Sequence, residues 1–193
     1  MLILWVSKLN VVVLMSKSKN MSDIFISLGS NVERKYHVQQ GLNALAKAFN
    51  LSFDQLKLSS LFESEAVGFS GNAFYNMVIG IKTEYSVEQV AKKLRDIEIE
   101  YGRPHDAKKF SPRTLDLDLL LYEDLIIDTP AQLPRDEINK NAFVLWPLSE
   151  VAPKHIHPII KLNYQTLWRD YDKASQQLSI VEDCWCSPST EKE

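Results

Sequence analysis

The sequence predicts a single α+β domain in which helices pack on an antiparallel sheet. The chain has 193 residues with 45% hydrophobic content, which is enough for one sizeable core. Short strand-like runs alternate with longer runs of helical periodicity. No repeat or low-complexity linker divides residues 22–175. We therefore expect one domain over 21–180, with an N-terminal extension (1–20) that is not part of the fold and a polar tail (181–193).

The predicted elements follow the order β-α-β-β-α-β, which is the order of a ferredoxin-like sandwich with its helices on one face of an antiparallel sheet. The second helix has the clearest limits, because Ser86 and Gln89 stand at capping-box spacing and Gly102 ends the apolar stripe. The predicted strands are 24–28, 56–62, 77–82 and 115–122, the two core helices are 36–49 and 87–101, and further helices are expected at 140–152 and 164–175.

The charge and the cysteines restrict the possible environments and partners. A net charge of −3 argues against a protein that binds nucleic acid or an anionic membrane through its overall field. Cys184 and Cys186 are too close for an ordinary disulfide, which favours a reducing cytoplasm. The apolar runs in residues 1–20 are interrupted by Lys8 and are shorter than a membrane span, so an upstream extension is favoured over a secretion signal.

Two carboxylates stand in the very apolar run LDLDLLLY. In a strand, Asp116 and Asp118 point to the same face, while Leu117 points to the other. The two like charges repel unless the face is wet, one group is protonated, or both bind a divalent cation such as Mg²⁺. A solvated edge strand and the D-x-D metal site of a sugar-nucleotide transferase are alternative interpretations.

The segment before this strand is rich in basic groups. Five basic side chains precede the carboxylates within eleven residues: Arg103, His105, Lys108, Lys109 and Arg113. Basic groups beside a cation site suit phosphoryl transfer, in which catalysis depends mainly on positioning and on stabilising phosphate charge. The sequence contains no Walker motif and no kinase glycine-rich loop, so a nucleotide site of another kind is expected.

The run SPRTLDLDLLLY resembles the signature of the 6-hydroxymethyl-7,8-dihydropterin pyrophosphokinase family. Members of that family transfer a diphosphate from ATP to the pterin hydroxymethyl group in folate biosynthesis. Three other runs are similar to the family: FISLGSN (25–31), SSLFESEAVG (59–68) and FVLWPLSEVAP (143–153). The resemblance spans about residues 23–170 and implies the same ferredoxin-like fold.

The resemblance implies an ATP site with two Mg²⁺ ions, which Asp116 and Asp118 would bind. Arg103, His105 and Arg113 match positions at the ATP phosphates, and these three with the two aspartates are the predicted catalytic residues. Three further residues are assigned to ATP by position: Glu98 at the end of a helix, Phe110 in the closing loop, and Arg135.

The resemblance also implies a pterin pocket. A flat polar heterocycle is best held between aromatic faces with a few hydrogen bonds at its edge. Phe74 and Phe143 match the aromatic positions and Asn76 the amide, although the phenylalanines are equally explained by core packing. Ser64 and Val67 fall in the loop that reads the pterin edge, and Asp116 contributes to this site as well.

The segment 134–143 departs from the family pattern. Arg135, Asp136 and Asn141 stand where members usually have His, an aromatic or other residue, and Arg. A paralogue with weakened ATP binding, acting as a slow enzyme or a pterin-binding protein, is therefore an alternative. An RNA-binding module is disfavoured, because the aromatic central strand of such modules is missing. His155 and His157 are interpreted as surface or turn residues, and a monomer is expected.

Overall fold

The computed structural model describes residues 21–68, 71–102 and 113–182. The predicted site residues Arg103, His105 and Phe110 lie outside these ranges, as do residues 1–20 and the two cysteines. The strands are β1 (Ser22–Ser30), β2 (Lys57–Leu58), β3 (Leu61–Ser64), β4 (Phe74–Thr83), β5 (Asp116–Tyr122) and β6 (Leu178–Val181). The helices are α1 (Arg34–Phe49), α2 (Val87–Glu100), α3 (Glu137–Lys140), α4 (Ala142–Val151) and α5 (Tyr164–Asp170), with a 3₁₀ turn at Phe53–Gln55.

The strands form one antiparallel sheet in the order β5-β1-β4-β3-β6, and β2 also pairs with β4. The predicted β-α-β-β-α-β core is confirmed, with β1 between β4 and β5. The register places Gly29 of β1 opposite both Asn76 of β4 and Asp116 of β5. Asn76 and Asp116, which are 40 positions apart in the sequence, therefore lie on either side of Gly29.

One face of the sheet is covered by α1 and α2. Ile24, Ile26 and Leu28 of β1 are at most 1% exposed and pack in the same cluster as Val38 and Val90 of the two helices. The predicted cap of α2 is present, since the Gln89 N–H donates to Ser86 Oγ and the Ser86 N–H donates to Gln89 Oε1. None of the helices in the described ranges is long and apolar enough to cross a membrane.

The opposite face is also covered, which differs from the expected arrangement with helices on one face. Phe25, Val78 and Leu120 pack there against Leu148 of α4 and Tyr164 of α5. The physical reason is that the central strands are apolar on both faces, so both faces must be buried. Helix α4 is shorter than the expected helix at 140–152, because α3 is a separate helix. Helix α5 is also shorter than expected and ends at Asp170 instead of 175.

Strand β6 was not predicted. It pairs with β3 through Leu178–Ser64 and Val181–Leu61 contacts, so regular structure extends one residue into the segment expected to be tail. Its four residues are partly exposed, and so short an edge strand carries little hydrophobic periodicity. The predicted strand at 56–62 is likewise divided into β2 and β3.

Candidate active site

The two carboxylates of β5 lie on the sheet face that α4 covers in part. Leu117 and Leu119 point to the opposite core, as the alternation predicts. The side chains of Asp116 and Asp118 are 34% and 42% exposed, so this face of the strand is only partly accessible to solvent. Each carboxylate contacts an arginine: Arg113 Nη1 lies 2.9 Å from Asp116 Oδ1, and Arg135 Nη2 lies 2.7 Å from Asp118 Oδ1.

Arg113 is held by the turn that follows β1. Its backbone N–H donates to Asn31 Oδ1 at 2.7 Å, and its carbonyl accepts from the Asn31 N–H at 3.0 Å. Asn31 is 2% exposed and also donates from Nδ2 to the Asn72 carbonyl. Asn31 is thus a positioning residue that the sequence analysis did not single out, although it ends the FISLGSN run.

Arg135 reaches Asp118 from a different segment. Its backbone N–H donates to the carbonyl of Leu120, two residues after Asp118 on β5. Its Nε lies 3.4 Å from Glu137 Oε2, an ion-pair distance, yet this buried N–H makes no hydrogen bond within the described residues. The guanidinium therefore lies between two carboxylates and bonds well to only one.

A cavity of about 380 Å³ opens beside these pairs. Its charged end is formed by Arg113, Asp116, Asp118 and Arg135, and its neutral end by Phe74, Asn76 and Phe143. The floor is Gly29, where a Cβ would lie 3.4 Å from Asn76 Oδ1 and 3.9 Å from Asp116 Cβ. Of the predicted site residues, the cavity brings together Val67, Phe74, Asn76, Arg113, Asp116, Asp118, Arg135 and Phe143.

The neutral end is fixed by a buried polar pair. Asn76 Nδ2 donates to Ser64 Oγ at 2.9 Å, and both residues are less than 9% exposed. Ser64 does not line this cavity but acts on Asn76, whereas Val67 lines it and is half exposed. This pair orients the amide so that Oδ1 lies beside Gly29.

Glu98 occupies a different place from the other predicted residues. It is 5% exposed on α2, and one carboxylate oxygen, Oε1, accepts from the Leu117 backbone N–H at 3.0 Å. The residue does not line the cavity. In this structure Glu98 holds the strand segment between the two aspartates.

The end of α2 lies beside the start of β5. Thr114 Oγ1 donates to the carbonyl of Tyr101 at 2.6 Å, which ties the end of α2 to the start of β5.

Shape alone does not select this cavity. A larger hollow of about 840 Å³ lies near Asp23 and Lys154, at the opposite end of β1. The carboxylate of Asp23 there is already paired with Lys82 on the surface. The smaller cavity is the better candidate, because it combines the two adjacent carboxylates with two guanidinium groups.

The two histidines of the HIHP run are not placed as a metal pair. His157 is 1% exposed, and its Nδ1 accepts from the backbone N–H groups of Ile159 and Ile160. Burial lowers the pKa of His157, as expected for a ring that must stay neutral at Nδ1. His155 stacks on Tyr164. His157 is thus a turn residue, as predicted, but a buried one.

The cavity on this ferredoxin-like sheet has two carboxylates paired with guanidinium groups at one end and aromatic side chains at the other. Such a site suits a ligand with phosphate groups and a flat ring. A model of the family described as 7,8-dihydro-6-hydroxymethylpterin-pyrophosphokinase (HPPK) matches residues 25–153. This match spans more than half of the sequence, so the chain belongs to the HPPK family.

Individual relatives agree with the family assignment. The chain is 33% identical to the 2-amino-4-hydroxy-6-hydroxymethyldihydropteridine pyrophosphokinase of Aquifex aeolicus, over 73% of this chain and 87% of that protein. It is 34% identical to the folic acid synthesis protein fol1 of Pneumocystis carinii, over 76% of this chain but 20% of that protein.

Solved structures agree on the fold. Wild-type Plasmodium falciparum HPPK-DHPS with pteroate superposes with a TM-score of 0.57 at 12% identity, over 78% of this chain and 42% of that one. The chain thus corresponds to less than half of that longer protein.

Proposed function

We propose that this protein transfers a diphosphate from ATP to the hydroxymethyl group of 6-hydroxymethyl-7,8-dihydropterin, with Mg²⁺ as the metal. The pterin hydroxyl oxygen forms a bond to the β-phosphorus of ATP and loses its proton to solvent, the bond from that phosphorus to the oxygen bridging to the α-phosphorus breaks, and AMP leaves with that oxygen. The observation that carries the proposal is the single cavity that joins Asp116, Asp118 and Arg113 to Phe74, Asn76 and Phe143.

The neutral end suits the pterin. A flat ring that carries donors and acceptors on its edge matches a fixed amide that shares a cavity with two aromatic side chains. Asn76 is preset by Ser64, so it would bind without a further ordering cost. Gly29 leaves space between Asn76 and Asp116 where a side chain would otherwise project.

The charged end suits phosphates and a cation. Within the described ranges no group of three or more His, Cys, Asp or Glu side chains could enclose a metal ion. Two adjacent carboxylates nevertheless fit Mg²⁺, which commonly takes one or two carboxylates and completes its octahedron with water and substrate phosphates. Such ions would neutralise charge on the transferred group.

The arginines would complete this end. Arg113 is fixed by Asn31 and can offer its remaining donors to phosphate oxygens, as a planar guanidinium does well. Arg103, His105, Phe110 and Glu98 remain family-based predictions for ATP. We also propose a monomer acting in the cytoplasm.

A second candidate is a paralogue with weakened ATP binding. Asn141 lines the cavity without a positive charge, and the charge of Arg135 is paired with Asp118. This arrangement would lower the rate or leave a pterin-binding protein.

The test of the proposal is a nucleotide-product assay. Protein, ATP, Mg²⁺ and 6-hydroxymethyl-7,8-dihydropterin are mixed, and nucleotides are separated by chromatography. The proposal expects AMP only when both the pterin and Mg²⁺ are present, and no AMP after chelation with EDTA. ADP as the product, or AMP formed equally without pterin, would overturn it, whereas pterin binding without turnover would favour the paralogue.

A further inference from the structure

We infer that Arg135 is an internal cation that occupies Asp118 until a metal ion displaces it. The inference rests on the proposed metal site and goes beyond it, because it assigns to Arg135 a role before nucleotide binding. In this exchange the guanidinium leaves Asp118, keeps its pairing with Glu137, and becomes available to the phosphates.

The first observation is the direct conflict over one oxygen. Arg135 Nη2 donates to Asp118 Oδ1 at 2.7 Å, a short charge-assisted bond. A cation bound to Asp118 Oδ1 would share that oxygen with the guanidinium, and two positive groups held this close together repel each other. Asp118 is 42% exposed, which gives an entering ion access to the carboxylate.

The second observation is that the guanidinium is not fully satisfied where it lies. Its Nε is buried and makes no hydrogen bond to any described residue, although Glu137 Oε2 is 3.4 Å away. A buried donor left without a hydrogen bond is unfavourable, and a small rotation toward Glu137 would satisfy it. The second carboxylate thus provides a position to which the side chain can move.

The third observation is that the backbone is fixed while the side chain is long. The Arg135 backbone N–H donates to the carbonyl of Leu120, which lies two residues after Asp118 on β5. The Arg135 backbone is therefore held near Asp118. Exchange therefore requires side-chain rotation alone. Arg113 is different, because its partner Asp116 is three residues away on the same segment and its own backbone is bonded twice to Asn31.

The inference is tested by Mn²⁺ binding without nucleotide, using electron paramagnetic resonance to measure free Mn²⁺. Arg135→Met should bind Mn²⁺ about tenfold more tightly than the wild type, the change expected when a competing charge-assisted bond is removed. Lys82→Met is the matched control, since it also removes one positive charge, but from an exposed pair with Asp23. Lys82→Met should leave Mn²⁺ affinity unchanged.

A second comparison separates exchange from simple electrostatics. Glu137→Gln removes the alternative partner of Arg135, so it should weaken Mn²⁺ binding several-fold in the wild type. In the Arg135→Met background the same change should have a smaller effect.

Three outcomes would overturn the inference. Equal and measurable Mn²⁺ affinity in the wild type and Arg135→Met would refute the exchange but leave the metal assignment in place. An equal effect of Glu137→Gln in both backgrounds would show that Glu137 affects Mn²⁺ binding through its own charge and not through Arg135. No Mn²⁺ binding by either protein, with or without ATP, would overturn the metal assignment together with the exchange.

Discussion

The two ends of the cavity are held in different ways. At the neutral end, Asn76 is buried and its amide is fixed by Ser64, so the polar group is oriented before any ligand arrives. At the charged end, Asp116 and Asp118 are partly exposed and are contacted by arginines. Under the proposed function, this difference predicts that the neutral end is preorganised for its ligand, whereas the charged end exchanges internal contacts for ligand contacts. Changes at the two ends should therefore affect different steps.

The largest effect is expected at the charged end, from Asp118→Asn. This change keeps the side-chain size but removes the negative charge, so loss of metal-borne stabilisation should raise the barrier by roughly several kcal/mol, or hundreds-fold in rate. Turnover at saturating Mg²⁺ measures it, and Asp124→Asn on the exposed turn is the control. Near-normal turnover would revive the interpretation of β5 as a solvated edge strand.

A change at the neutral end should alter affinity for one substrate. Asn76→Ala leaves a polar ring edge unpaired in the pocket and should weaken pterin binding by about 1–3 kcal/mol, with ATP affinity nearly unchanged. Calorimetry with each ligand measures this, and Phe143→Ala should act in the same direction. Asn72→Ala is the control, because Asn72 contributes only its backbone carbonyl to Asn31. If only thermal stability changed, the pocket would be misplaced.

A smaller effect is expected from the segment that departs from the family. Asn141→Arg adds a guanidinium to the cavity wall and should tighten ATP binding several-fold, while pterin binding hardly changes. Arg135→Ala should weaken ATP binding. Both are measured by calorimetry with a non-hydrolysable ATP analogue. Unchanged affinity in both variants would show that 134–143 does not reach the nucleotide.

The smallest effect is expected outside the cavity, at His157. Burial lowers the pKa of His157 below its ordinary value of 6.5. The unfolded chain therefore takes up the proton first, so this contribution to stability is complete above about pH 6.5 and is lost as the pH falls below it. Urea unfolding between pH 5 and 7 should show a shallower decline for His157→Asn than for the wild type. Parallel declines would contradict this account of the ring.

The sequence predicted the core of the fold because its signals are local. Alternation placed Asp116 and Asp118 on one face, and the Ser86–Gln89 spacing located the start of α2. The covering of the second face was missed because it depends on how Phe25 and Val78 meet α4 in space. Strand β6 was missed because four partly exposed residues carry little pattern.

The residues of the candidate site were named one by one from the sequence, but the contacts that hold them in place were not predicted. The resemblance supplied Asn76 and Arg113, yet it did not indicate that Ser64 orients the first and Asn31 fixes the second. Glu98 remains a predicted nucleotide contact, but the resemblance did not indicate that one of its carboxylate oxygens accepts from the Leu117 backbone N–H of β5. These contacts join distant segments, so they follow from strand register and helix packing, which single-residue patterns do not encode.

The most direct test of the central claim follows the phosphorus atoms. A single-turnover reaction uses ATP labelled separately at the β and γ positions, with Mg²⁺, excess protein and 6-hydroxymethyl-7,8-dihydropterin. The account predicts that both labels appear together in the pterin product while AMP carries neither. A pterin product with only the γ label, or labels released as free phosphate with the pterin unchanged, would contradict it.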